Sequence, residues 1–391
     1  MTLPTSATPD PLLDALRQGM EQLMTRFPAE YWRELDETNS YPEAFIQAMT
    51  EAGYLAALIP EAYGGGGVGI TEASVILETI NRQGGNAAVG HAQMYIMGII
   101  LRHGSEEQKQ RYLPAIARGE LRLQAFGVTE PDAGTNTLNI RTTAVRQGDF
   151  YIIRGQKIWT SRAQHSDLMI LLARTTPKTQ VKKRTHGLSL FIIDMHEALQ
   201  NGMTIKPIPT MMNHHTTEVY FDDLKVPVQN LIGNEGEGFR YILRGMNAER
   251  ILIAAECIGD GYWFIEKARD YANQRQVFDT PIGSHQGVQF PIARAYINLR
   301  AADLMRFDAA AKYDRGESIG PEANMAKYLA AEASWEAANV AMQTFGGFGF
   351  ATEYDIERKF RETKLYQIAP ISTNLILAYL GHNVLKMPRS Y

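Results

Sequence analysis

A carboxylate and a guanidinium stand side by side at Glu249-Arg250, inside a run whose apolar residues keep a helical period. Phe239, Ile242, Met246, Glu249 and Ile253 follow one another at spacings of 3, 4, 3 and 4, so Glu249 takes a slot the period reserves for an apolar side chain. A carboxylate on a buried stripe is costly unless it is paired or kept for a reaction, and a dry carboxylate suits proton abstraction. The competing reading is a helix-surface Glu paired with Arg244 or Arg250.

A second region runs from Leu123 to Ser161. The apolar run Leu123 to Val128 breaks into Glu130-Pro131-Asp132-Ala133-Gly134-Thr135-Asn136, small and turn-forming residues that leave amides and hydroxyls open to a ligand. After the turn Gln147-Gly148-Asp149 comes Phe150 to Ile153, and Trp159 follows Lys157-Ile158 beside the hydroxyls of Thr160 and Ser161. From the residues alone an ordinary hairpin with a core Trp is the default reading, and a site for a flat, polar-edged ligand the alternative. A third region, Gln343 to Phe350 (QTFGGFGF), holds more glycine than a helix C-cap requires, which favours close approach of backbone to a ligand.

Other motifs carry less. The Gly64 to Gly67 run lacks a Gly-Lys-Ser/Thr ending and a preceding strand, so it reads as a loop before a helix capped at Thr71. His214-His215, read as strand, would point to opposite faces with no third ligand nearby, so no metal site is expected. Lys178 to Thr185 reads as a solvated basic loop between strands.

The elements that must position these residues follow the hydrophobic period. Residues 1–10 read as a loose arm, and from Asp10 to about Glu120 the pattern is helical, as at Leu16, Met20 and Met24 or Phe45, Ala48 and Met49. From about Leu121 to Val228 the period is two, and from Gly236 to Leu385 four or five long helices are expected. Domains are therefore placed at 1–120, 121–230 and 231–391. Charged residues at 21% and a net charge of −4 give no sign of a nucleic-acid or membrane surface. A lone Cys257, no apolar run approaching the ~20 residues that span a bilayer, and no targeting pattern at the start point to a soluble cytoplasmic protein.

Val128-Thr129-Glu130-Pro131-Asp132-Ala133-Gly134-Thr135 and Gly155-Gln156-Lys157-Ile158-Trp159-Thr160-Ser161 closely resemble the flavin-binding blocks of the acyl-CoA dehydrogenase family. Blocks in the same order recur from about Tyr41 to the C-terminus. The resemblance implies a multidomain α+β fold: an α-helical N-terminal domain, a β-sandwich or barrel middle domain and a C-terminal helical bundle. It implies FAD, an acyl-CoA substrate, a homotetramer and an electron-transfer flavoprotein as acceptor. By the same resemblance Val128 and Thr129 contact the isoalloxazine edge, Trp159 stacks on the rings and Ser161 bonds near N5. Thr135 faces the CoA arm and Tyr95 helps wall the acyl pocket. Arg275 grips the FAD pyrophosphate, with Phe278, Gln286, Gln343 and Gly347 as companions from a neighbouring subunit.

One block departs from the family. Where many members read Y-x-I-Y-E-G-T, with Glu as the base, this chain reads Tyr366-Gln367-Ile368-Ala369-Pro370-Ile371-Ser372-Thr373-Asn374. Proline carries no proton to exchange; Ser372 and Asn374 keep the implied FAD contacts of this block. Members resembling isovaleryl- and long-chain acyl-CoA dehydrogenases carry the base earlier, in a Glu-Arg pair, which points to Glu249 as catalytic base and Arg250 as a substrate contact. The expected activity is α,β-dehydrogenation of an acyl-CoA. Its rivals are a flavin oxidase or monooxygenase on the same fold and a flavin-binding member without catalysis.

Overall fold

The change of period near residue 121 is a change from helix to strand. The computed structural model describes Leu3 and residues 10–389, the Arg244 side chain excepted. The expected loose arm over residues 1–10 lies outside the described residues apart from Leu3 and Asp10. In chain order the helices are α1 (Pro11–Met24), α2 (Ala29–Glu37), α3 (Glu43–Glu51), α4 (Ile70–Arg82), α5 (Ala88–His103), α6 (Glu106–Ala117), α7 (Met195–Gln200), α8 (Gly238–Gln274), α9 (Gln286–Asp314), α10 (Gly320–Phe345), α11 (Ile356–Ile368) and α12 (Thr373–Tyr379). The strands are β1 (Leu123–Gly127), β2 (Thr143–Gln147), β3 (Phe150–Ser161), β4 (Leu168–Arg174), β5 (Leu188–Asp194), β6 (Met203–Pro207), β7 (Thr216–Pro227) and β8 (Leu231–Ile232), then a small hairpin, β9 (Gln276–Val277) and β10 (Thr280–Pro281).

Helix starts follow capping chemistry. Asp10 accepts from the amides of Leu12 and Leu13 ahead of α1, and Ser105 with Gln108 boxes α6. The start of α4 differs from the expected Thr71 cap. The N-cap is Gly69, whose amide donates to Glu72 at 2.9 Å, and the carboxylate of Asp314 receives the amides of Ile70 and Thr71. A long-range carboxylate does there what a local hydroxyl was expected to do.

The chain packs as two units. One comprises residues 41–68 and 92–246. Its sheet runs β6-β7-β3-β2-β4-β5-β8, with β1 parallel to β4. Alternation along β4 divides the core: Leu168, Ile170 and Leu172 join one apolar cluster with Ile96, Ile100 and Leu113, while Met169, Leu171 and Ala173 join another with Tyr151, Phe191 and Phe221. A strand buried on both faces reads as a continuous apolar run, as β4 and β5 do.

The other unit comprises residues 1–40, 69–91 and 247–391. Here α9 packs along α10, α10 against α11, and both α1 and α9 against α4. Its interior is unusually charged. Arg306 is fully buried and donates to Ser74 at 2.7 Å, Glu78 at 2.6 Å and Asp303 at 2.5 Å. Lys359, also buried, meets Asp260 at 2.6 Å and Glu362 at 3.0 Å. Each cation answers two carboxylates, and removing one partner would strand the rest. Among the described residues no helix is long and apolar enough to cross a membrane, and no group of ligands fits a metal ion.

Candidate functional site

The loop after β1 is held by a buried clip. The carboxylate of Glu130 accepts the amides of Arg141 (2.5 Å) and Thr142 (2.9 Å), and Lys157 on β3 donates to it at 2.8 Å and to the Val128 carbonyl at 3.0 Å. The Ile158 amide adds a bond to the Thr129 carbonyl at 2.9 Å. Burial pulls the Lys157 ammonium down to about 8, against the attraction of Glu130. Burial pushes Glu130 the other way, but Lys157 and the amides outweigh it and the carboxyl lies below its ordinary value. The sequence reading gave neither residue a role, although two charges within an apolar strand–loop–strand pattern were a signal.

A β-bulge then aims Trp159. In the pairing of β3 with β7, Lys157 faces Val219 and Thr160 faces Thr217, so two residues of β3 oppose one of β7. Trp159 takes φ 62° and is 57% exposed, which excludes the core-Trp reading. The second irregularity in this pairing lies at Gly155, φ 146°, where a Cβ would come within 2.6 Å of Thr142. Tyr95 packs edge-on to Phe126, two residues before Val128, at 5.9 Å. Thr135 is exposed on the loop; Val128, Thr129 and Ser161 are half-buried.

His214-His215 lie just before β7 rather than within it, and they reach different partners. His215, at φ 47°, meets His165 at 3.1 Å, and His214 meets Arg162 at 3.3 Å. Tyr41 stacks on His165 at 4.3 Å.

In the unit that holds residues 247–391, a pocket of about 420 Å³ is lined by Tyr271, Arg275, Thr344, Phe345, Gly347 and Phe348, among others. The Arg275 guanidinium lies 5.8 Å from the Phe348 ring, and Tyr271 stacks on Phe345 at 4.2 Å. Phe278 and Asp279 turn the β9–β10 hairpin with positive φ at both positions, and Phe278 is 93% exposed. The structure thus brings Arg275 and Gly347 together and sets Phe278 on the adjoining hairpin. Gln343 and Gln286 are exposed and outside the lining.

Glu249 and Arg250 are both buried, 4% and 7% exposed, so the surface-Glu reading fails on Glu249. The Arg244 side chain lies outside the described residues. Arg250 donates to Asn247 at 2.9 Å, and burial pulls its guanidinium below the ordinary value, against the charge of Glu249. Ser372 caps α12, accepting from the Leu375 amide, while Asn374 is exposed. A buried lysine that the sequence reading missed, Lys327, donates to the carbonyls of Tyr366 and Ile371, on either side of Pro370.

Three family models match: the N-terminal domain of acyl-CoA dehydrogenases over residues 11–120, the middle domain over 125–224 and the C-terminal domain over 236–374. Acyl-CoA dehydrogenase FadE12 of Mycobacterium tuberculosis (strain H37Rv) is 35% identical over 382 residues, covering 96% of this chain and 97% of that protein. The solved glutaryl-coenzyme A dehydrogenase–glutaryl-CoA complex superposes with a TM-score of 0.90 at 30% identity, covering 98% of each chain. A chain from the structure of the electron transferring flavoprotein of Acidaminococcus fermentans gives 0.91 at 30% identity, covering 97% of this chain and 99% of its own.

Proposed function

From the premise that this chain belongs to the acyl-CoA dehydrogenase family, FAD flavoproteins that act on acyl-CoA substrates, we propose that it converts an acyl-CoA thioester to the trans-2-enoyl-CoA with Glu249 as base. The observation that carries this reading is the buried carboxylate of Glu249 beside buried Arg250, with Pro370 at the other position the family uses. The residues present fit FAD: an exposed aromatic held on a bulge for the rings, and a guanidinium in an aromatic-lined pocket for the diphosphate. When bound, FAD supplies the acceptor, at N5, for the hydride that leaves the β carbon.

The protein's share is to hold, orient and deprotonate. Glu249 takes the proton from the carbon α to the thioester, and Arg250 holds substrate beside it. Val128, Thr129, Trp159 and Ser161 hold the isoalloxazine, Thr135 the CoA arm, and Tyr95 walls the acyl chain. Arg275, Phe278, Gln286, Gln343 and Gly347 serve the diphosphate of a neighbouring subunit's FAD in a homotetramer; Ser372 and Asn374 add contacts. Electrons leave to an electron-transfer flavoprotein in the cytoplasm.

The test is anaerobic stopped-flow bleaching with butyryl-, octanoyl- and isovaleryl-CoA. Glu249→Gln should keep FAD and thioester binding yet slow reduction by at least ~100-fold, the low end of what a placed base contributes; Glu249→Asp should retain part of the rate. A Gln variant that bleaches at the wild-type rate removes Glu249 from the role. A wild type bleached by no thioester would favour the non-catalytic rival that Pro370 raises, and rapid reoxidation by air the oxidase.

A further inference from the structure

Lys157 lies on β3 two residues before Trp159, and its side chain is fully buried. An ion pair alone would need only the Glu130 carboxylate, which its ammonium meets at 2.8 Å. The ammonium also directs one of its three protons at the Val128 carbonyl, 3.0 Å away. That carbonyl belongs to the peptide group whose other end is the Thr129 N–H. The Thr129 amide is bonded to no acceptor among the described residues, and Val128 and Thr129 are half-buried, so a ligand can reach it. A charged donor on a peptide oxygen polarises the whole group and strengthens its N–H, the more so where water is excluded. The Ile158 amide, next along β3, takes the Thr129 carbonyl at 2.9 Å, so the residue is held from both sides. Glu130 balances the ammonium's charge, and the amides of Arg141 and Thr142 keep that carboxylate in place.

We infer that Lys157 is a positioning residue for the flavin: through the Val128 carbonyl it orients the Thr129 amide, strengthens it as a donor to the isoalloxazine, and so raises the cofactor's reduction potential. The inference rests on the reading that Val128 and Thr129 hold the ring. Reduction adds negative charge to the ring, so a strengthened donor favours the reduced form over the oxidised one. Burial lowers Lys157 only to about 8, with Glu130 opposing, so the ammonium is intact at neutral pH.

The test compares wild-type, Lys157→Met and Lys157→Arg holoenzymes at neutral pH, without substrate. Equilibrium reduction against a reference dye reads the potential, and loss of flavin on dilution reads the affinity. Lys157→Met should hold oxidised FAD less tightly by up to about tenfold, the net worth of one hydrogen bond. It should hold reduced FAD less tightly still, so its potential falls below that of the wild type. Lys157→Arg, which keeps a charged donor, should return the potential towards the wild-type value. A lysine that only braces the loop predicts a different split: both redox forms weaken equally and the potential stays put. That result overturns the inference. Should the Met variant fail to fold, Lys157→Met/Glu130→Gln removes the ion pair together and strands no buried charge; the same fall in potential is expected. Failure of both to fold also counts against the inference, because bracing then suffices. Trp159→Gly separates the two claims. If it leaves FAD affinity and spectrum unchanged, the ring does not lie at this loop and the underlying reading fails. If it weakens FAD while Lys157→Met keeps the wild-type potential, only the role of Lys157 fails.

Discussion

Trp159 shows how a single residue can be placed against its own conformational preference. A non-glycine residue at φ 62° costs on the order of 1 kcal/mol or more, and an exposed indole returns little of it. Replacement by glycine removes the strain and the ring together. Trp159→Gly should therefore leave the flavin-free protein's Tm equal or higher, yet weaken FAD binding and alter the flavin spectrum; a drop in apo Tm with normal FAD affinity would make Trp159 a fold residue. At this scale the sequence was half legible. The apolar stripe exposed Glu249 because a charge breaks a period. Trp159 was visible as an aromatic beside hydroxyls, but its φ was not, because no propensity marks a tryptophan for the left-handed region. Lys327 left no trace, since a lysine on a helix is ordinary until its neighbours are known.

At the scale of elements, the strands and most helices follow from period and caps, while the irregularities that aim the site do not. Both disruptions in the β3–β7 pairing fall inside one 12-residue strand, and only Gly155 hints at either. The cap of α4 was missed for a related reason: Asp314 lies 244 residues from Ile70. The segment joining β3 to β4 carries a pH response. Burial, then His215, pulls His165 down to about 4 from an ordinary 6.5. As pH falls below 6.5 the unfolded chain binds a proton that the folded chain refuses, so stability is present above that pH and is lost on the way down to about 4. His165→Phe keeps a ring for Tyr41 to stack on and removes the titration. Its Tm should fall less than the wild type's between neutral pH and pH ~5, and parallel Tm curves would show that this histidine is not the sensor.

For the whole molecule, helix α9 presents Phe290, Ile297 and Leu304, seven residues apart and all exposed. An apolar stripe of that kind on an exposed helix supports the proposed homotetramer. Ile297→Glu should shift the protein to smaller species in light scattering and reduce flavin occupancy, because the proposed diphosphate contacts come from a neighbouring subunit. An unchanged native mass would place the stripe outside the assembly. The molecule's division into units also has a consequence in time. The unit holding residues 1–40 and 69–91 cannot close until residues 247–391 exist. Glu78 waits 228 residues for Arg306, which at ~5–20 residues per second is roughly 11 to 46 s of synthesis. Throughout that interval α4 has α1 to pack against but not α9, so the face it turns to α9 stays uncovered while residues 41–68 and 92–246 can already close on themselves. Translation speed over the second half of the message therefore sets how long the nascent chain is exposed to aggregation.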